Sequence, residues 1–282
     1  MVTDMSSSTP SNAPDATLPT RARLPINRCN LPSVILGGLT FQDHPHALEI
    51  DGVTTFHADL FAMLTALDDA SERAAQFQDY MAVQFRLETP EDAGGEKGRG
   101  RAKADYLRLL RGWFFDADGR EAAVLKSWAE SRFGLLTRHH KGRIEGPDDP
   151  LLAGFFKDRA DGLHNTNALE AQLDLVHAYC QFELARHDPK QPHLTLYRGV
   201  NHLDGFEVLD HQGRNTQVML LNNVNSFTSN RDTAGAFGDY ILTVNVPLSK
   251  IVFYCGLLPG RMQGEHEFIV LGGVYKVKSD TF

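Results

Sequence analysis

His193-Leu194-Thr195-Leu196-Tyr197-Arg198 is the stretch on which the fold turns. It reads as a strand, and the texture of the chain changes at the Pro192 just before it. Upstream, apolar residues recur at helical spacing: Leu60, Met63, Leu64 and Leu67, then Phe77, Tyr80, Met81 and Phe85. Two more amphipathic helices carry Tyr106, Leu107, Leu109, Leu110, Trp113 and Phe114, and then Ala122, Val124, Leu125 and Trp128. A further helix is expected over residues 168–185, with breaks at Gly146-Pro147, Asp149-Pro150 and Asp188-Pro189 on either side. Downstream, residues 217–221, 240–246, 251–254 and 267–277 read as strands. Helices first and short strands afterwards imply an α+β fold, with a helical N-terminal part packed on a mainly antiparallel β core.

The N-terminal flank is different again. Residues 1–20 are rich in Ser, Thr, Pro and Asp, and are expected to be disordered. Residues 20–40 are proline-punctuated and expected to run extended over the body of the fold. The remainder, 21–282, reads as a single domain with a helical part over about 42–190 and a β-rich part over about 191–282. Residues 91–102 form a charged, Gly-rich loop between helices.

Composition narrows the function. A formal charge of -8, from 28 Lys+Arg against 36 Asp+Glu, and no basic stripe interleaved with aromatics argue against nucleic acid. The basic run Lys97–Lys103 is short, broken by Gly and reads as a loop. Cys29, Cys180 and Cys255 are widely spaced, with no C-x-x-C pair, which fits a reducing compartment. No apolar run approaches the roughly 18 residues that cross a bilayer, so no membrane is expected and the location is read as cytoplasmic. His44-Pro45-His46 with His57, and the pair His139-His140, complete no recognised ligand spacing, and His266-Glu267 lacks the second His of H-E-x-x-H. No metal is expected.

Three segments carry chemistry. In Leu196-Tyr197-Arg198-Gly199-Val200 an arginine at a strand end offers a bidentate fork for phosphate, and the glycine admits close backbone approach. A surface ion pair is the bland alternative. In Asn225-Ser226-Phe227-Thr228-Ser229-Asn230 the hydroxyls of Ser226 and Thr228 share a face if this is a strand, and can orient a carboxylate. A Ser/Thr turn before a short helix over 233–238 is the alternative. In Gly264-Glu265-His266-Glu267, strand alternation would place Glu265 and Glu267 on one face about 7 Å apart. Paired acids repel, a cost usually met where positive charge develops; a solvated edge pair is the alternative.

Arg, then Ser-x-Thr with a downstream Ala-x-x-Phe-Gly (Ala234 to Gly238), then Glu-x-Glu, in that order on an antiparallel β half, resembles the arginine-serine-glutamate class of mono-ADP-ribosyltransferases. The ordered triple spans residues 194–275. Together with the segment Leu24-Pro25-Ile26-Asn27-Arg28-Cys29-Asn30-Leu31-Pro32, the helical middle and the length, it is similar to the dinitrogenase reductase ADP-ribosyltransferases of nitrogen-fixing bacteria. The resemblance implies a two-sheet ADP-ribosyltransferase β core. It also implies NAD as substrate, dinitrogenase reductase as protein target and a PII-type signalling protein as regulator. Arg198 would grip an NAD phosphate and the Gly199 backbone the nicotinamide carboxamide, with Thr228 and Phe237 in the same cofactor site. Ser226 would hold the catalytic Glu267, which stabilises the oxocarbenium ion, while Glu265 orients the incoming guanidinium and helps remove its proton.

The physics runs the same way. Cleaving an N-glycosidic bond builds positive charge on the sugar, which a fixed carboxylate stabilises. A guanidinium stays protonated in water and needs a second acid to become nucleophilic. NAD glycohydrolysis is the nearest alternative, against which Glu265 argues; a non-catalytic nucleotide-binding regulatory module is the other. The hydroxyl motif is Ser-Phe-Thr rather than Ser-Thr-Ser. The loop over 256–264 lacks the aromatic that relatives often carry for target recognition.

Overall fold

The computed structural model describes residues 17–87, 105–163, 168–186, 191–262 and 266–281. Residues 1–16, the Gly-rich loop 91–102 and Glu265 lie outside the described residues. The helices are α1 (Ser33–Leu36), α2 (Leu39–Asp43), α3 (Val53–Phe56), α4 (Ala58–Thr65), α5 (Ala70–Gln84), α6 (Tyr106–Phe115), α7 (Arg120–Phe133), α8 (Pro150–Leu163), α9 (Ala168–Leu184) and α10 (Arg231–Gly235). The strands are β1 (His193–Val200), β2 (Glu207–His211), β3 (Thr216–Thr228), β4 (Tyr240–Pro247), β5 (Ile251–Tyr254) and β6 (Glu267–Thr281).

Local chemistry sets the helix ends. Asp69 caps α5, its Oδ1 accepting from Ser71 N at 2.8 Å and Glu72 N at 2.9 Å, and Asp105 caps α6 through Arg108 N at 2.8 Å. Gly134 closes α7 with a left-handed φ of 68°. Most of α7 is buried, and its Trp128 and Arg132 meet Asp174 of α9: Trp128 Nε1 donates at 2.7 Å, and Arg132 forks onto both carboxylate oxygens at 2.7 and 2.9 Å. Removing one partner of such a buried pair costs about 3–5 kcal/mol. The segment expected to be extended over 20–40 is so only in part. Arg23 bridges Leu135 and Cys29 bridges Ile50, but α1 begins straight after Pro32. Pro32 O accepts from Ile35 N and Leu36 N, so the proline starts a helical turn instead of prolonging a strap.

The strands are all antiparallel, in the order β2-β3-β1-β4-β6-β5, with β3 also paired to β6. The pairs β3–β1, β1–β4, β4–β6 and β6–β3 close a ring, so all six strands form one hydrogen-bonded set and not the two sheets expected. The reason is the length of β3 and β6, at 13 and 15 residues. Each is long enough to serve several neighbours along its course, so no boundary between sheets is left.

Midway along that pair the register shifts: Leu221 faces Gly273 and Val224 faces Leu271. Asn222 and Asn223 therefore oppose the single residue Gly272, a β-bulge. A Cβ on Gly272 would lie 1.6 Å from Asn222 O, so the bulge requires glycine there. One hydrophobic cluster runs through both parts of the chain, from Leu64, Phe77, Trp128 and Leu173 to Val244 and Ile269. Helix α9 packs on β5 and α7 on β3, which brings the helical part to the rim of the sheet where the bulge sits. Among the described residues no helix is long and apolar enough to cross a membrane.

Candidate active site

Strand pairing assembles three of the predicted residues. Thr228 is the direct cross-strand partner of Glu267, and Ser226 that of Ile269. Directly opposed residues point to one face, as do residues two apart on a strand, so Ser226, Thr228 and Glu267 share a face. Ser226 is a diagonal neighbour of Glu267, typically about 7 Å away, while Thr228 is the nearer hydroxyl. Phe227 and Phe268 take the opposite face, where Phe268 stacks on Tyr254 with ring centroids 6.0 Å apart.

Trp113 of α6 donates its indole N–H to Ser226 Oγ at 2.9 Å. Because indole only donates, that contact fixes the Ser226 oxygen and leaves its own proton for an acceptor. In the sequence Trp113 reads as an apolar position on an amphipathic helix, and nothing local marks its N–H as a tether. Strand β6 begins at Glu267, after His266 with a left-handed φ of 54°. The strand alternation on which the shared face of Glu265 and Glu267 was reasoned therefore does not extend through His266, and Glu265 itself lies outside the described residues.

Arg198 is half-buried on β1, its Nη1 donating to Ser226 O at 3.1 Å, while its buried Nε has no partner. Burial lowers its pKa, opposed by the negative charge of Glu267 and of Asp118. Arg198 thus feels both the candidate catalytic acid and a carboxylate from the helical part. Gly199 serves a close approach: a Cβ there would lie 1.9 Å from Ala234 O of α10. The first clear consequence of this glycine is the docking of α10, whose N-cap Asn230 accepts from Asp232 N and Thr233 N. Phe237 follows α10 and is 66% exposed, an aromatic face open to stacking.

A cleft of about 380 Å³ opens beside Arg198, lined by Trp113, Asp118, Lys126, Arg138, Asn222 and Glu207 among others. A larger cavity of about 560 Å³, apolar and lined by Phe61, His177, Phe182 and Leu248, shares no residue with it and holds none of the motif residues. Lys126 is 2% exposed and donates to Asp118 Oδ1 and His139 O, both at 2.9 Å. Burial pushes the Lys126 pKa down against the opposing pull of Asp118. Burial by itself would raise Asp118, but the neighbouring His139 and the charge and hydrogen bond of Lys126 hold it well below the usual carboxylate range. His140 lies between Lys126 and Asp158, at 3.3 and 3.0 Å. The two histidines therefore work inside an ion-pair network, and among the described residues no group of three or more His, Cys, Asp or Glu could hold a metal ion.

The family described as dinitrogenase reductase ADP-ribosyltransferase (DRAT) matches residues 26–279. The NAD(+)--dinitrogen-reductase ADP-D-ribosyltransferase of Rhodospirillum rubrum is 37% identical over 259 residues, which cover 90% of this chain and 94% of that protein. No solved structure matches. With the family spanning all three motif segments and the helices that carry Trp113 and Lys126, the chain belongs to the dinitrogenase reductase ADP-ribosyltransferase family.

Proposed function

We propose that this protein transfers ADP-ribose from NAD to an arginine of dinitrogenase reductase and so switches off nitrogen fixation in the cytoplasm. The observation that carries the reading is the register that sets Glu267 opposite Thr228 with Ser226 on the same face, next to an arginine that feels the Glu267 charge. Glu267 is the carboxylate that stabilises positive charge on the nicotinamide ribose as nicotinamide leaves, with Ser226 and Thr228 orienting it. Arg198 grips a phosphate, the Gly199 backbone meets the carboxamide, and Phe237 offers a face to the ring. Glu265 receives the target guanidinium and takes its proton, which suits a carboxylate one residue removed from the first. Regulation by a PII-type signalling protein follows from the family resemblance.

The test uses labelled NAD with purified dinitrogenase reductase. Wild type should label one arginine of that protein, and Glu267→Gln should lose both labelling and nicotinamide release while melting at the same temperature. Removing one preorganised electrostatic contact typically costs about 10²–10³ in rate. A variant keeping more than about a tenth of wild-type activity would return Glu267 to the status of a surface acid.

A further inference from the structure

The sequence Arg138-His139-His140-Lys141-Gly142-Arg143 belongs to none of the three motif segments, yet the structure builds it as a closed hairpin on the cleft. His139 bridges Arg143, Ile144 N donates to Arg138 O at 2.9 Å, and His140 N donates to Gly142 O at 2.9 Å. Lys141 and Gly142 take φ of 57° and 152° to make the turn. The bulge on β3 holds it. Asn222 Oδ1 accepts from Arg138 N at 2.8 Å and His139 N at 3.2 Å, its Nδ2 donates to His139 O at 3.1 Å, and Lys126 Nζ reaches the same carbonyl. Such anchoring fixes where the two arginines stand.

Their charges are poorly matched. Arg138, Arg143 and Arg21 converge on the single carboxylate of Glu207. Arg138 and Arg143 approach it only to 3.9 Å, beyond hydrogen-bond range. Arg143 has a second carboxylate in Glu145 at 3.0 Å, whereas Arg138 is 13% exposed and, among the described residues, has only the Glu207 carboxylate within ion-pair range. Burial lowers the Arg138 pKa, and the like charges of Arg143 and Arg21 lower it further. Three guanidiniums thus share two carboxylates, an excess of one positive charge in a chain of net charge -8, and two of them, Arg138 and Arg143, stand on the wall of a cleft that also holds Arg198.

We infer that this hairpin is the second anchor of the NAD diphosphate, which spans the cleft from Arg198 to Arg138 and Arg143. The inference rests on the reading of NAD as substrate given above and adds to it residues from the helical part. Planar guanidiniums fork onto phosphate oxygens, and Glu207 holds the unoccupied arginines in place without saturating them. The hairpin touches the diphosphate and not the bond that breaks, so Arg138 and Arg143 are substrate-binding residues, and their loss should appear in binding and not in the chemical step.

The experiment measures nicotinamide release by the full-length protein, with dinitrogenase reductase present as acceptor, against NAD concentration and with ADP-ribose, nicotinamide and inorganic phosphate as inhibitors. For Arg138→Gln, KM for NAD and Ki for ADP-ribose should rise roughly tenfold or more, the scale of a lost charge-assisted contact. Its kcat and its Ki for nicotinamide should stay within about threefold of wild type. Wild-type KM should climb with salt, and the variant's should climb less, a readout that a merely structural role would not move. Arg143→Gln, at a more exposed position, should show the same pattern more weakly and serves if Arg138→Gln does not fold. Unchanged KM and ADP-ribose inhibition in a folded variant would overturn the inference and leave the transferase reading intact. Lost phosphate inhibition with an unchanged KM would overturn it too, marking a separate anion site. No nicotinamide release by wild type would sink both.

Discussion

The motif face and the cleft beside it are built by different means. At the first, Ser226, Thr228 and Glu267 are set by the register of β3 against β6, so a ladder of backbone hydrogen bonds fixes their spacing. At the other, Arg138 and Arg143 ride on a hairpin pinned mainly by the amide of Asn222 and the ammonium of Lys126. Ladder geometry is cooperative and stiff, whereas a hairpin held by a few side chains can be detached by one substitution. The lesson is a division of labour. On the proposed roles, the residues assigned to chemistry sit on strands, where little displacement is tolerated, and those assigned to the diphosphate sit on a tethered loop.

The largest effect should come from disturbing the stiff end. Gly199→Ala puts a methyl group where Ala234 O already lies, with backbone on both sides of the clash. The expected loss is about 3 kcal/mol or more, at the top of the usual range for overpacking. Thermal melting with a nicotinamide-release assay checks it; a variant of wild-type stability and activity would mean that α10 can move freely away from β1.

Asn222→Ala tests the tethered end. It strips the acceptor from two backbone N–H groups of the hairpin, for a stability loss of about 1–2 kcal/mol. KM for NAD should rise while kcat holds, as for Arg138→Gln, because the arginines lose their position and not their charge. A fall in kcat at constant KM would place Asn222 with the chemical end instead.

The smallest effect is a pH slope. Lys250 is fully buried, donates to Gly272 O at 2.9 Å opposite the bulge, and sits 4.5 Å from the Tyr275 ring centroid. Burial pushes its pKa down to about 7. Between pH 7 and its ordinary value the unfolded chain holds a proton that the folded chain has released, so stability rises with pH through that window and levels off below about pH 7. Lys250→Met should flatten this slope in thermal melts taken from pH 6 to pH 9. An unchanged slope would assign it to other groups.

Much of the stiff end was legible in the sequence, because strand alternation puts residues two apart on one face and the motif residues lie on strands that announce themselves. The five expected strands are present, and Ser226 and Thr228 lie on a strand continuing to Thr228, not in a turn. The edge strand β2, Glu207-Val208-Leu209-Asp210-His211, is too short and polar-ended to stand out. Helix α8 does not stand out in the sequence, where Asp149-Pro150 reads as a break. It is a start signal: Pro150 is the first helical residue, and Asp149 Oδ1 accepts from Leu151 N at 2.9 Å. The tethered end was not legible at all. Lys126, Arg138 and Asn222 lie far apart in sequence, and a bulge that depends on Gly272 brings them together. His139-His140 drew attention as metal-ligand types, while their neighbours Arg138 and Arg143 matter more for the cleft.

The division of labour is tested most directly by nicotinamide release at saturating NAD with dinitrogenase reductase as acceptor, Glu267→Gln and Arg138→Gln being assayed side by side. Saturation repairs a binding defect and cannot repair a missing transition-state contact. Arg138→Gln should recover to within about threefold of the wild-type rate, and Glu267→Gln should stay below about a tenth of it at every NAD concentration. Recovery of Glu267→Gln, or an Arg138→Gln rate that stays low at saturation, would contradict the account.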